Sequence, residues 1–390
     1  EPFFMDLTPE DPRDWNFHLK DSSPCIDAGH PDPEYNDACL PPGKGGSRND
    51  IGAYGGPENC DMLPAEPRAG LALVTEYGEA WMAECIGAPP LQNPRKIGAL
   101  GFVFDPQNGY WILKGELNGD GLDDLIQITP GTAAWVSINR DGSMLTPEIW
   151  GTPNFHYREN DPEAGLLPLC ADVSGDGLDD LIQITSYGDV WVTKSRGESF
   201  GGASRWGRPG FHYHRSCSWT QNGDTVLTGD VNGDHKSDLI QITPYGDAWA
   251  SLSNGDHFGT PSRWGWLGFA FDPENGSYPL AGDVNADGMS DLIQITRWGT
   301  AWIALSDGAT FQDPVNWGGL NFYYNEETGA YPIAADVNSD GMTDILYITP
   351  DRRVWVSFSL GDAFEAPEYW GSPNFRYSRE VGYIPFYLNY

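Results

Sequence analysis

Basic side chains are scarce in this sequence of 390 residues. Lysine and arginine together number 22, against 56 aspartates and glutamates, and the formal net charge is -34. A surface this acidic repels a phosphate backbone, which argues against nucleic-acid binding. The same excess of carboxylates favours metal cations over acidic partners.

The chain also lacks long apolar runs and the short motifs of common enzymes. No run of about 18 apolar residues is present, so no membrane span is expected. The missing signal peptide and initiating methionine predict a processed, soluble form. HExxH, GxSxG and phosphate-cradling motifs are absent. His156 and His212 occupy equivalent repeat positions and are interpreted as architectural. We therefore expect a protein without catalytic activity.

One pattern, DVNADGMSDLIQIT in its clearest form, recurs five times. The copies begin at Glu116, Asp172, Asp230, Asp283 and Asp336. Oxygen-bearing side chains at positions 1, 3 and 5 resemble an EF-hand loop, but the closing acid arrives at position 9 and an alternating β-branched run follows. The pattern therefore predicts a calcium loop that opens a strand. The spacing of about 53 to 58 residues is close to that of a propeller blade.

Two aromatic markers follow each loop. One is a tryptophan after a small or apolar residue, at Trp135, Trp191, Trp249, Trp302 and Trp355. We expect these side chains to pack between blades. The other is a WG pair followed by phenylalanine, with the aromatic residues at Trp150, Trp206, Trp264, Trp317, Trp370, Phe155, Phe211, Phe269, Phe322 and Phe375.

A sixth copy is divided between the two ends of the repeat region. LALVTEYGEAWMAE, from Leu71, matches LIQITPYGDAWASL, from Leu239, but has no inner strand or calcium loop. YIPFYLNY, from Tyr383, aligns with YPIAADVN, from Tyr331. A C-terminal strand added to the first blade would close a ring without an unpaired edge. The prediction is an all-β, six-bladed propeller over residues 71–390, with a linker at 61–70 and an irregular arm at 1–60.

The repeats resemble the FG-GAP or VCBS-type family, which includes integrin-like propellers and related lectin domains. The resemblance covers residues 71–390, although blades in that family commonly number seven. It implies one calcium ion per loop, held between the inner strand and its neighbour. It also implies an extracellular binding or scaffolding platform, secreted or at the cell surface, and no enzyme.

Hard oxygen ligands at each loop select calcium. Side chains at positions 1, 3, 5 and 9 and the carbonyl at position 7 form the expected sets. About five ions are expected. The third site is expected to be weakest, because His235 and Lys236 replace glycine and an apolar residue. The expected ligands are Glu116, Asn118, Asp120, Leu122, Asp124, Asp172, Ser174, Asp176, Leu178, Asp180, Asp230, Asn232, Asp234, Lys236, Asp238, Asp283, Asn285, Asp287, Met289, Asp291, Asp336, Asn338, Asp340, Met342 and Asp344.

Residues 1–60 contain HLKDSSPCIDAG and GSRNDIGAYGGP. These stretches resemble the tail that follows the last coil of right-handed parallel β-helix proteins. The segment has few apolar side chains and is not expected to fold alone. It would pack on its own propeller or on a neighbouring copy, and the second arrangement would give a head-to-tail filament.

Six cysteines favour an oxidised, exported protein. The sequence leaves their pairing open, although nearness favours Cys25 with Cys39, Cys60 with Cys85, and Cys170 with Cys217. Asn275 begins an N-glycosylation motif that is as compatible with chance as with use.

Two functions remain in view. One is a self-assembling extracellular subunit of a fibre or surface layer, which would form homo-oligomers through the arm. The alternative is a lectin-like glycan-binding or adhesion module, because aromatic residues in turns or beside WG offer flat faces for sugar stacking. These residues are Tyr77, Tyr187, Tyr245, Trp266 and Trp298.

Overall fold

The computed structural model describes residues 4–6, 16–19, 69–85, 89–106, 108–155, 165–185, 187–211, 224–269, 272, 277–325, 328–378 and 382–389. The chain forms two compact units, Glu1–Pro67 and Arg68–Tyr390. In the first unit, β1 (Phe4–Asp6) pairs antiparallel with β2 (Asn16–Leu19). The predicted docking of the arm and the Cys25–Cys39 pairing lie outside the described residues.

The second unit is a six-bladed β-propeller, because its described residues form six four-stranded antiparallel sheets. Blade one also carries a short hairpin, β9 (Asn139–Arg140) and β10 (Ser143–Met144). The strands of blades one to three, from first to fourth, are β6 (Trp111–Gly115), β7 (Asp124–Ile128), β8 (Ala134–Ser137) and β11 (Glu148–Gly151); β12 (Gly165–Ala171), β13 (Asp180–Thr185), β14 (Val190–Thr193) and β15 (Ser204–Gly207); β16 (Thr225–Gly229), β17 (Asp238–Ile242), β18 (Asp247–Ser251) and β19 (Ser262–Trp266).

Blades four and five follow the same order, and blade six joins the two ends of the unit. Their strands are β20 (Tyr278–Gly282), β21 (Asp291–Ile295), β22 (Thr300–Ala304) and β23 (Val315–Gly319); β24 (Tyr331–Ala335), β25 (Asp344–Ile348), β26 (Val354–Ser357) and β27 (Glu368–Gly371); β28 (Ile384–Asn389), β3 (Ala69–Val74), β4 (Glu79–Cys85) and β5 (Arg95–Ala99).

The ring closes through the C-terminal strand, as predicted. β28 pairs with β3 from Ile384↔Val74 to Asn389↔Ala69. The first strands contact one another in the order β6, β12, β16, β20, β24, β28 and back to β6. Every described first strand therefore has a neighbour on each side.

The predicted alignment of the last strand is wrong by one residue. Ile384 pairs with Val74, whereas Tyr331 pairs with Ile348 at the equivalent place in blade five. Ile384, rather than Tyr383, therefore corresponds to Tyr331. Strand pairing sets this register, and two short aromatic segments do not specify it. Asn389 consequently stands where other blades have the first loop residue.

The WG tryptophans lie in the core between blades. Trp150 is buried, and its ring centroid is 5.7 Å from that of Phe200 in blade two. The Phe200 N–H donates to the Trp150 carbonyl at 2.8 Å. The same N–H to carbonyl contact joins Phe258 to Trp206, Phe311 to Trp264 and Phe364 to Trp317.

The tryptophans of the third strands meet the prediction only in part. Trp135, Trp249 and Trp355 pack against the core of the preceding blade. Trp191 and Trp302, however, are more than one third exposed. Alternation along a strand places this position on a blade face, and whether the face is covered depends on the neighbouring blade.

Two predicted disulfides are not formed. Cys85 and Cys170 are free thiols, so the pairings Cys60–Cys85 and Cys170–Cys217 are wrong for this structure. Cys85 is buried beside Leu71 and Tyr387, and burial raises the pKa of its thiol to about 12. In the described part of the chain, no helix has the length and hydropathy needed to span a bilayer.

Candidate functional site

Each blade presents two kinds of connection at opposite ends. In an antiparallel meander, the connections from strand one to two and from three to four share one end. The calcium-type loops lie there, and we call this end the loop face. The turn between the second and third strands lies at the other end, which we call the turn face.

The first residue of each loop organises the loop backbone. Asp172 accepts hydrogen bonds from the N–H of Gly175 at 2.6 Å and of Gly177 at 2.8 Å. The sixth residue has a positive φ in all five loops, including His235 at 63°. A side chain at that position is strained, so His235 fits less easily than the glycine of the other loops.

The ninth residue is a fully buried aspartate in every loop. Its Oδ1 accepts a hydrogen bond from the N–H of the second residue after the third strand, as from Ser253 to Asp238 at 2.7 Å and from Ser306 to Asp291 at 2.8 Å. Burial, together with nearby loop carboxylates, raises the pKa of Asp124 to about 8 and of Asp180 to about 7. A bound cation would offset this unfavourable charge.

The loops also join neighbouring blades. The Ser253 hydroxyl, positioned by Asp238, donates to the Val173 carbonyl of the preceding loop at 2.5 Å. The Ser290 N–H donates to the Asp230 carbonyl at 2.6 Å. Where the ring closes between blades six and one, the Asp123 N–H donates to the Asn389 carbonyl at 3.1 Å. Hydrogen bonds on the loop face therefore connect neighbouring blades.

The loop residues have the chemistry for calcium but are not arranged around a cation. In the described residues, no group of three or more His, Cys, Asp or Glu forms a site that could hold a metal ion. The oxygens accept hydrogen bonds within the loops instead, as Asp120 Oδ2 does from Asn118 Nδ2 at 2.9 Å. In loop one, the buried Glu116 Oε2 and Asp124 Oδ2 have no hydrogen-bond partner of normal geometry. These oxygens fit a hard cation if the side chains rotate, so calcium stays a prediction.

Lys236 supplies loop three with a positive charge of its own. Its Nζ lies 3.2 Å from Asp234 Oδ2, and its aliphatic chain covers Gly175 of loop two. We expect Lys236→Met, which copies Met289 and Met342, to add one tightly bound calcium ion, because the ammonium no longer competes for Asp234. Native mass spectrometry would count the ions, with Lys96→Met on the turn face as control. Equal counts for wild type and Lys236→Met would contradict this prediction.

The predicted stacking residues lie on the turn face or at its edge. In all six blades, one residue of the turn between the second and third strands has a positive φ. In blade two this residue is Gly188, and a Cβ there would lie 2.4 Å from the Gly210 Cα. The four turns with glycine at this position approach their own blade in this way, and the residue before each glycine is exposed. The exposed fractions of Tyr77, Tyr187, Tyr245, Trp266 and Trp298 lie between 62% and 77%.

In blades two and three, an ion pair that was not predicted accompanies the turn tyrosine. Arg205 Nε lies 2.8 Å from Asp189 Oδ1, and Arg205 stands opposite Trp191 on the paired strand. Blade three repeats the arrangement, because Arg263 Nε is 2.6 Å from Asp247 Oδ1. Arg263 stands opposite Trp249 on the paired strand.

Blade six carries a related group. Lys96 Nζ is 2.6 Å from Glu79 Oε1, and the Trp81 indole N–H donates to Glu79 Oε2 at 3.2 Å. The Lys96 and Trp81 hydrogen bonds hold the pKa of Glu79 below its usual value. Blades one and four lack the pair, since the acidic position holds Ala133 or Thr300.

We call the three sets the ion-paired groups, and each combines a turn tyrosine, an acid, a base and a tryptophan. Two of them lie toward the preceding blade, because Trp249 packs on the core of blade two and Trp81 on that of blade five. The repeated SRWG segment after GDVW and GDAW is the signal in the sequence that indicates the groups of blades two and three. Its meaning depends on strand pairing, which brings residues 16 positions apart together. The groups are Tyr77, Glu79, Trp81 and Lys96; Tyr187, Asp189, Trp191 and Arg205; Tyr245, Asp247, Trp249 and Arg263.

Between blades four and five, the turn face contains a cleft of about 280 Å³. Tyr347 lines it and stacks on Phe322, with ring centroids 4.4 Å apart. Trp355, also in the lining, contacts the Tyr369 ring at 5.4 Å. The remaining lining residues are Leu320, Asn321, Thr349 and Pro367.

Comparisons with known proteins support the fold. No family model and no curated protein matches the sequence. A solved Agrocybe aegerita lectin, described as recognising non-reducing terminal N-acetylglucosamine, is similar with a TM-score of 0.56 and 15% identity, over 82% of this chain and 94% of that chain. An AofleA mutant from Arthrobotrys oligospora has a TM-score of 0.48 and 10% identity, over 82% and 89%. At these identities the likeness concerns the fold alone.

Proposed function

We propose that this protein is a non-catalytic, lectin-like propeller that binds glycans on its turn face. The observation that carries the proposal is the threefold occurrence of the ion-paired groups. A carboxylate accepts hydrogen bonds from sugar hydroxyls, a guanidinium donates to sugar oxygens, and an aromatic ring covers the apolar face of the sugar. Three such groups on one ring would also raise avidity for a multivalent glycan.

The Agrocybe lectin has a similar fold and is described as recognising a terminal sugar. This supports the class of ligand and does not identify the sugar. An extracellular or cell-surface location fits glycan binding. A self-assembling role through residues 1–60 stays a prediction, because the residues that would carry it lie outside those described.

Calcium belongs to the proposal as a structural ion. Calcium ions held by the ligand sets of the five loops would neutralise the carboxylates that the loop face brings together. Each ion would be held in part by the aspartate at position 9, which also accepts a hydrogen bond from the connection between the third and fourth strands. Calcium would therefore stabilise the propeller and keep the spacing of the turn-face sites, at the opposite end of the blades.

A glycan array with paired variants tests the proposal. We expect Arg205→Ala combined with Arg263→Ala to weaken binding at least about tenfold, because each change removes a charge-assisted donor. Arg140→Ala, an exposed arginine on the hairpin of blade one, is the matched control. Unchanged binding by the double variant, with normal folding by circular dichroism, would contradict glycan binding at the ion-paired groups.

A further inference from the structure

The three ion-paired groups differ at the position opposite the acid on the fourth strand of the blade. In blade three, Trp266 occupies this position and pairs with Asp247, and its indole N–H donates to the Tyr245 carbonyl at 2.9 Å. In blade six, Ala99 pairs with Glu79. The acid, the base and the aromatic residues are otherwise alike in kind. This position is therefore where the chain can give each group its own ligand preference.

Arg208 occupies the same position in blade two. Gly207 pairs with Val190, so the next residue, Arg208, stands opposite Asp189. The Arg208 Nε donates to the Tyr187 carbonyl at 3.1 Å, which is the acceptor equivalent to the one used in blade three. Both blades therefore attach this side chain to the turn, and the two side chains differ in charge and shape.

Two arginines of blade two lie on one face of its sheet. Asp189 and Trp191 are two residues apart, so they share a face. Arg205 stands opposite Trp191, and Arg208 stands opposite Asp189, so both arginines lie on that face as well. Asp189 pairs with Arg205 at 2.5 Å, whereas no ion pair joins Arg208 to a carboxylate among the described residues. The group of blade two therefore has one positive charge in excess, on an exposed side chain.

We infer that the ion-paired group of blade two binds a sugar that carries a carboxylate or sulfate group, and that Arg208 selects it. A guanidinium forms paired, charge-assisted hydrogen bonds with either anion. The Trp191 ring, which is more than one third exposed, covers the apolar face of the sugar. In blade three, Trp266 adds a second ring and no charge, which suits an uncharged sugar. The inference rests on the proposed glycan-binding function and names the ligand class of one group.

The acidic surface of the protein does not prevent this selection. Charges on a surface that are separated by more than about 8 Å are largely screened at physiological ionic strength. The contact between the anion and Arg208 therefore outweighs the repulsion from distant carboxylates. Because the contact is ionic, binding of the anionic sugar weakens as the salt concentration rises, whereas binding of a neutral sugar changes little.

A glycan array with matched sugars tests the inference. It presents glucuronides and galacturonides, the 6-sulfated forms of glucose and galactose, and the neutral parent sugars. We expect Arg208→Ala to weaken binding of an anionic sugar about tenfold, because a charge-assisted hydrogen bond is lost, and to leave the neutral sugars within about twofold. Trp266→Arg, which copies blade two in blade three, should strengthen anionic binding. Arg140→Ala is the matched control.

The outcomes separate this inference from the proposed function. A selective loss of the uronides in Arg208→Ala identifies a carboxylate ligand, and a selective loss of the sulfated sugars identifies a sulfate. Equal binding of anionic and neutral sugars by wild type, or equal loss of both in Arg208→Ala, overturns selection by Arg208 and leaves the proposed function standing. Unchanged binding of neutral sugars by the double variant of Arg205 and Arg263 contradicts the proposed function instead. A wild type that binds no sugar on the array overturns both.

Discussion

Removal of calcium should lower the melting temperature of the propeller by more than about 10 °C. A site kept at about 100 times its dissociation constant contributes about 2.7 kcal/mol to the folded state, and four such sites act together with the weaker site of loop three. Without the ions, the carboxylates at positions 1, 5 and 9 repel one another within each of the five loops. Thermal unfolding followed by circular dichroism, with chelator and after return of calcium, measures the effect.

A single-site variant checks that the loops are responsible. Asp291→Asn keeps the shape of the buried side chain at position 9 of loop four and removes its charge. It should remove about one fifth of the calcium-dependent shift, because one of about five sites is weakened. Asp307→Asn, on the connection after the third strand of the same blade, should leave the shift unchanged. A melting curve insensitive to excess chelator would rule out calcium at the loops.

Disruption of the C-terminal strand should prevent the ring from forming. Leu388 is fully buried in β28, and Leu388→Asp would place a carboxylate without a partner in the core between blades six and one. A charge buried in this way costs several kcal/mol or more and opens two sheet edges to other chains. We expect aggregated or unfolded protein by size-exclusion chromatography and circular dichroism.

Val315→Asp is the matched control for this prediction. Val315 lies on β23, the fourth strand of blade four, and is 58% exposed. The same charge can remain hydrated there, so the variant should elute and melt close to wild type. A folded, monodisperse Leu388→Asp would show that pairing of β28 with β3 is dispensable.

Local sequence patterns predicted much of the fold. The regular return of the loop and of the WG pair predicted blades, because each repeat must bury its aromatic residues against a neighbour. The incomplete first copy predicted closure by the C-terminal strand. The pattern was less informative about register, since Tyr383 and Ile384 both fit an apolar first position and only pairing with Val74 distinguishes them.

The sites were predictable to different degrees. Loop positions follow from spacing along the chain, so the candidate calcium ligands were found from sequence, although the structure leaves their function untested. The exposed turn aromatics were also found, because a turn that ends in a positive φ leaves its preceding residue outside. Arg205 and Asp189 were missed, because their pairing depends on how β14 meets β15.

The sequence by itself determined the repeat, the acidic loops and the aromatic turns, because each depends on residues within about one blade of chain, and it determined the blade count by matching the two ends of the repeat region. Tertiary structure alone decided which tryptophans are covered, that Cys85 and Cys170 stay unpaired, and that Tyr347 meets Phe322 across a cleft. These features depend on side chains that adjacent blades bring together. Their distance and exposure follow from the packing of the closed ring, which no local pattern specifies.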